Sequence, residues 1–316
     1  MKNENIYSQK LHIFARRSLA SGVKPIQTLL TPVFEPDFGD VIAYRAELKI
    51  NSVVSGALGA NDYLSPQLSE DLSVKFALRS VRKAVAAYAA LADKNLPCAA
   101  LFVRCPVGVI YSENAGAILL AELSGAAQEN ELDMRELSGK ICLEFDSSAM
   151  DADGDTLSRA FAEIRSAAMK IAVDGLGGEN FALEKLLAAC PDYAFTSARL
   201  NAVATDTERR GALAPVVNLV SNLGGKVVAE GIGSDEELRE YRSREIFGFL
   251  PNKNYAGRLN VRLETRLLET VVGEGEESSL GSPRLATLPE GESKEGDSAN
   301  EPPEGEALVK DSGGGR

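Results

Sequence analysis

Between residues 26 and 265, short apolar runs alternate with helix-length amphipathic stretches. Strands are predicted over Val41–Ile50, Cys98–Arg104, Lys140–Phe145, Lys170–Asp174, Tyr193–Ser197 and Lys226–Glu230. Each is a compact run rich in Val, Ile, Leu or Phe. The clearest helix is predicted over Asp71–Asp93, where Val74, Ala77, Leu78, Val81, Val85, Tyr88 and Leu91 recur at helical spacing and mark one buried face. Further helices are predicted near Ala115–Asn130, Asp155–Ala168, Phe181–Ala189, Glu208–Leu223 and Asp235–Arg242. Regular alternation of this kind argues for a parallel α/β architecture. The number of repeats favours a (β/α)8-type barrel over a doubly wound sheet, although periodicity alone fits both.

The pattern stops at Gly273. Beyond it come GEGEESS, PEGESKEGD and NEPPEGE, with almost no aromatic or β-branched residues. Such a segment cannot bury enough apolar surface to offset its chain entropy, so residues 273–316 are expected to be a disordered acidic tail. Residues 1–25 are read as a separate N-terminal segment, and 26–265 as the folded domain. The tail carries 11 acidic and 4 basic residues, so it holds more than half of the net charge of −12. No basic stripe of the kind nucleic-acid binding requires is left over, which argues against direct nucleic-acid contact. No run of about 18 uncharged apolar residues is present, so no membrane span is expected. Cys98, Cys105, Cys142 and Cys190 have neither metal-ligand nor redox spacing. Buried free thiols in a reducing, cytoplasmic setting are the expectation. His12 is the only histidine and is expected at the surface.

In barrels of this class the chemistry sits at the carboxyl ends of the strands. Here those ends read Val41-Ile-Ala-Tyr-Arg-Ala-Glu-Leu48, Ile141-Cys-Leu-Glu-Phe-Asp146, Lys170-Ile-Ala-Val-Asp-Gly-Leu-Gly177 and Val227-Val-Ala-Glu-Gly-Ile232. In order and spacing they resemble the EAL, LEITE, IALDDFGTG and VVAEGVE segments of the EAL-domain family, whose enzymes hydrolyse cyclic di-GMP. The resemblance covers about Ile26 to Tyr255. It implies a modified (β/α)8, TIM-like barrel with one antiparallel strand. It also implies a site where carboxylates and an amide hold two Mg²⁺ or Mn²⁺ ions about 4 Å apart, one of them activating the attacking water.

By that resemblance Glu144, Asp174 and Glu230 match three of the family's acids. Most other positions depart from it. Arg45 stands at the Glu of the Glu-Ala-Leu signature and Arg104 at the metal-binding Asn. Ser147 and Gly175 replace a second Glu and a second Asp, while Phe195 and Ser197 replace a Lys and an Asp. Gly233 replaces the Glu after AEG, and Phe247 the Gln of the last segment. Thr31 stands for a strand Gln. Glu47 shares a strand face with Arg45 and offers a second register. The resemblance therefore implies a barrel without catalysis and without metal or other cofactor. Glu144, Asp174 and Glu230 would then be balanced by Arg45, Arg104 and Lys49 in an internal ion-pair network, or the bases would form an anion pocket. The expected role is regulation through an unidentified protein partner. Reception of cyclic di-GMP without cleavage is the alternative, with Lys49, Phe247 and Phe249 as candidate nucleotide contacts. A residual metal-dependent phosphodiesterase is the remote one. A homodimer stays open.

Overall fold

The computed structural model describes residues 26–259, apart from 38, 53–55, 65–67, 149, 180 and 207–209, together with residues 265–267. The N-terminal segment 1–25 and the acidic tail 273–316 lie outside the described residues.

The described strands are β1 (Ile26–Phe34), β2 (Val41–Ser52), β3 (Gly56–Leu58), β4 (Leu101–Arg104), β5 (Ile141–Asp146), β6 (Lys170–Leu176), β7 (Tyr193–Thr196), β8 (Lys226–Ile232), β9 (Gly248–Pro251) and β10 (Thr265–Leu267). Eight of them close on themselves in the order β1-β2-β4-β5-β6-β7-β8-β9, and β9 returns to β1. β1 runs antiparallel to both of its ring neighbours, and the other ring pairs are parallel. β3 and β10 continue the sheet outside the ring, on β2 and β1. The fold is thus a closed eight-stranded (β/α)8-type barrel carrying one reversed strand.

Alternation along each strand separates two apolar sets. One fills the barrel interior, with Val33, Ala43, Phe102, Ala172, Phe195 and Val228 in a single cluster. The other faces outward to the helices, as Val103, Leu143, Val173 and Ala194 do. Buried on both faces, these strands read as short continuous apolar runs, which is why they stood out in the sequence. The Glu70–Asp93 helix buries Leu72, Phe76, Val81, Val85 and Leu91, close to the predicted stripe. The Asp235–Arg242 helix has its predicted bounds, with Ser234 capping Glu237 N–H at 3.1 Å.

Several elements differ from expectation. β1 was not among the predicted strands, because Pro32 in IQTLLTPVF cannot donate to a ladder. The helix expected over Glu208–Leu223 spans only Leu213–Asn222, after a 3-10 turn at Arg210–Ala212. An additional helix, Ala198–Thr205, begins at the Ser197 cap. The thiols are also not uniformly buried. Cys105 and Cys142 are buried and Cys98 is half-buried, with burial pushing its thiol up to about 12. Cys190 is exposed, because it terminates the Leu183–Ala189 helix in a left-handed conformation that turns it away from the core. Among the described residues, no helix is long and apolar enough to cross a membrane.

Candidate functional site

Alternation along β2 sends Ala43, Arg45, Glu47 and Lys49 to the barrel interior. Ala43 joins the interior cluster, and Arg45 stands one layer above it with only 8% of its surface exposed. A buried guanidinium must find acceptors, since it cannot deprotonate. Arg45 finds three, on three strands. Its Nε donates to both oxygens of Glu144 at 3.0 and 2.8 Å, and its Nη2 also donates to Glu144 Oε1. Nη2 reaches Asp174 Oδ2 at 3.0 Å, and Nη1 reaches Glu230 Oε1 at 2.6 Å. Below it, Cζ lies 4.8 Å from the centre of the Phe195 ring, a distance at which the ring face attracts a cation. The surrounding acids hold the Arg45 pKa well above its ordinary value, despite the cost of burial.

Arg104 flanks the same cluster from β4. Its side chain lies 3.3 Å from Glu144, 3.6 Å from Asp174 and 3.6 Å from Glu47. Parallel register sets Arg104 directly opposite Glu144, and Asp146 opposite Asp174. Burial pushes the Asp174 carboxyl up; Glu230 and Asp146 add to the shift, and attraction to Arg45 and Arg104 offsets only part of it.

The backbone around these acids is held by a second set of residues. Thr196 Oγ1 accepts the Glu230 N–H at 2.9 Å and donates to Asn201 at 2.9 Å. Asn201 in turn donates to the Glu230 carbonyl and accepts from the Tyr241 hydroxyl at 2.7 Å. Asn201 and Tyr241 are buried parts of this site that sequence reasoning missed. Their helical positions carry no local signal, and only a buried Asn at a strand-end helix could have hinted at them.

The other predicted positions divide. Gly175, next to last in β6, takes φ +89°, and an added Cβ there would lie 2.9 Å from Ser147 Oγ, so the Gly175–Ser147 pair fits together only without a side chain at 175. The Gly233 N–H is taken by Glu237 Oε2 at 2.7 Å, in helix capping. Thr31 lies opposite Arg45 across the β1–β2 ladder.

Of the three residues expected as nucleotide contacts, Phe247 and Phe249 lie away from the carboxyl-end cluster, while Lys49 stays on the cluster's side of the barrel. Among the described residues Lys49 forms no ion pair, so the balance expected of three bases falls to Arg45 and Arg104, and Glu47 adds a further acid beside Arg104. Lys49 lies four residues further along β2, past the layer of acids. Phe249 points outward to the helices and packs on Phe34 at 5.8 Å, because odd and even positions of β9 face opposite sides. Phe247 precedes β9 and touches Tyr193 and Lys226, the first residues of β7 and β8. It therefore lies at the amino end of the barrel, remote from Arg45.

A pair of divalent ions does not fit this arrangement. The Arg45 guanidinium fills the space on which the three acids converge, and Arg104 adds a second fixed positive charge. A unit positive charge 4 Å from a divalent cation costs roughly 8 kcal/mol at an effective dielectric near 20. Among the described residues, no group of three or more His, Cys, Asp or Glu side chains is arranged to hold a metal ion.

Residues 18–249 match the family model described as EAL domain. No curated protein matches the chain. Among solved structures, the Klebsiella pneumoniae BlrP1 calcium/cyclic-di-GMP complex aligns with a TM-score of 0.57 at 24% identity, over 73% of this chain and 55% of that one. The chain thus spans about half the length of BlrP1. The PaMucR phosphodiesterase–cyclic-di-GMP complex aligns with a TM-score of 0.61 at 16% identity, over 77% and 94%. Vibrio cholerae LapD, in its apo S helix-GGDEF-EAL form, aligns with a TM-score of 0.60 at 13% identity, over 77% and 56%. At these identities the likeness is one of fold.

Proposed function

Because the chain belongs to the EAL domain family, we propose that it acts in cyclic-di-GMP signalling as a non-hydrolysing regulatory protein of the cytoplasm that works by binding another protein. The observation that supports this reading is Arg45, whose guanidinium hydrogen-bonds Glu144, Asp174 and Glu230 at once. Metal-dependent phosphodiester hydrolysis needs those carboxylates free to bind cations that activate water and neutralise the leaving oxygen. With a guanidinium among them, the acids hold an internal cation, and the barrel mouth becomes a structural ion-pair cluster. Magnesium demands near-octahedral oxygen coordination, so a carboxylate already engaged by arginine is a poor ligand for it. A barrel relieved of chemistry still presents its helices and loops to partners.

Incubating the purified protein with cyclic di-GMP and Mg²⁺ or Mn²⁺ tests this reading. No linear dinucleotide should form above a buffer control. Turnover that vanishes in the Glu144→Ala variant would overturn it. In a calorimetric titration with cyclic di-GMP, no heat is expected at high micromolar nucleotide. Tight binding would instead assign the receptor role.

A further inference from the structure

The amino end of the barrel, opposite the Arg45 cluster, carries three lysines that no carboxylate of the described residues pairs. Lys170 opens β6 two residues before the interior residue Ala172, and Lys226 opens β8 two residues before interior Val228. Period-two alternation therefore aims both toward the barrel axis. Lys140 stands two residues before interior Cys142 on the neighbouring strand, its Nζ 3.4 Å from the Cys98 carbonyl. Among the described residues, none of these three ammonium groups has a carboxylate within ion-pair distance. The nearby Asp192 is engaged elsewhere: its Oδ2 accepts the Ile171 N–H at 2.9 Å and lies 3.8 Å from Arg165.

Between the lysines lies an aromatic pair. Tyr193 and Phe247 meet edge to face at 5.0 Å, with Lys170 Nζ 5.6 Å from the Tyr193 ring and Lys226 Nζ 5.5 Å from the Phe247 ring. Phe247 is only half-buried, and its far side forms a wall, with Ile42 and Ile246, of an open cavity of about 280 Å³. That volume admits one large apolar side chain. The lining of the cavity also carries Glu35, Asp37 and Glu245 against one base, Arg242, which lies 3.9 Å from Asp37, so this side of the barrel end is net acidic where the lysine side is basic.

The geometry points to a docking surface for an acidic segment of a partner protein: carboxylates over Lys170, Lys226 and Lys140, and a bulky apolar side chain in the cavity beside Phe247. The charge arrangement selects this occupant and its direction. The partner's acids are favoured only on the lysine side and are repelled by the rim of Glu35, Asp37 and Glu245, so complementarity fixes register as well as attraction. A nucleic acid is a poorer fit, since its regular row of phosphates would cross that acidic rim.

This inference rests on the protein-binding role proposed above and gives that role a place and a chemistry. A fluorescein-labelled peptide of Asp and Glu residues around a single Phe serves as the probe, read by fluorescence anisotropy with the full chain. A peptide with Lys in place of every acid is the control. The wild type should bind the acidic peptide and not the basic one, and Lys170→Glu/Lys226→Glu should weaken the affinity about tenfold or more, as removing a complementary charge pair does. Lys226→Glu alone, at an exposed position, should weaken it in the same direction if the double variant folds poorly. Equal affinity of wild type and Lys226→Glu, or no preference for the acidic peptide, would overturn the proposal. So would a dimer that Lys226→Glu converts to monomer, since a second copy would then be the occupant. Cyclic-di-GMP turnover would sink the non-hydrolysing reading without changing the peptide affinities, so the two failures are separable.

Discussion

Arg45 hydrogen-bonds three carboxylates while only 8% exposed, and its removal would leave Glu144 and Asp174 only the longer contacts of Arg104, and Glu230 none of these. Breaking a buried pair from one side typically costs about 3–5 kcal/mol. Arg45→Ala should therefore lower the unfolding free energy from urea titration by that order, and adding Glu144→Ala should recover part of the loss. Strictly additive losses in that double-mutant cycle would show that the pair does not couple. Arg104→Ala should cost less, because its contacts are longer, at 3.3 to 3.6 Å, and its side chain is 18% exposed. At this scale much was legible. Glu144, Asp174, Glu230 and Arg45 could be placed on barrel strands from the motif-like segments, and Arg104 at the end of its predicted strand. Lys49 was expected to help balance the acids and does not, because depth along β2 decides which same-face residue reaches them, and Lys49 lies four residues beyond Arg45.

Strand β6 shows how an element's end shapes the site. Its register shifts between Val173 and Leu176, and Gly175 takes up the irregularity with φ +89°. A side chain there meets two obstacles: a left-handed backbone, costing roughly 1–2 kcal/mol for an L-residue, and the Ser147 Oγ 2.9 Å from its Cβ. Gly175→Ala should destabilise by about that amount in urea unfolding, since the native φ is incompatible with the new residue. A further Ser147→Ala change should relieve the contact but not the backbone term. A Gly175→Ala protein as stable as wild type would refute the argument. Element boundaries were legible where local chemistry marks them, as with Ser234 before the Asp235–Arg242 helix. The Ala198–Thr205 helix went unread because its cap, Ser197, directly follows β7, so strand and helix share one unpunctuated run.

At the scale of the whole molecule, the barrel closes between β1 and β9, where Phe34 pairs with Phe249. Gly248 makes that closure close-fitting: a Cβ on it would lie 2.7 Å from Val33 Cγ1 and 3.0 Å from the Phe34 carbonyl. Gly248→Val should pry this seam apart, and overpacking of a filled core typically costs about 1–3 kcal/mol. Thermal unfolding followed by circular dichroism is the check, and an unchanged midpoint would mean that the seam yields without strain.

The sequence by itself determined the alternation of strands and helices, and with it a parallel α/β architecture; closure into a ring through β1 came from the tertiary structure. Strands buried on both faces and helices buried on one leave local periodicities that need no partner to be recognised. It also determined which residue types stand at the strand ends, since that follows from position along each apolar run. Only the tertiary structure decided that one arginine holds all three acids. Glu144, Asp174 and Glu230 lie 99, 129 and 185 residues from Arg45 in the chain. Which of them a buried guanidinium meets is set by ring closure and strand register. Tertiary structure also put Phe247 and Lys226 at the far end of the barrel from Arg45, for a related reason. Alternation tells which face a residue takes, but depth along the barrel axis emerges only when eight strands are staggered together.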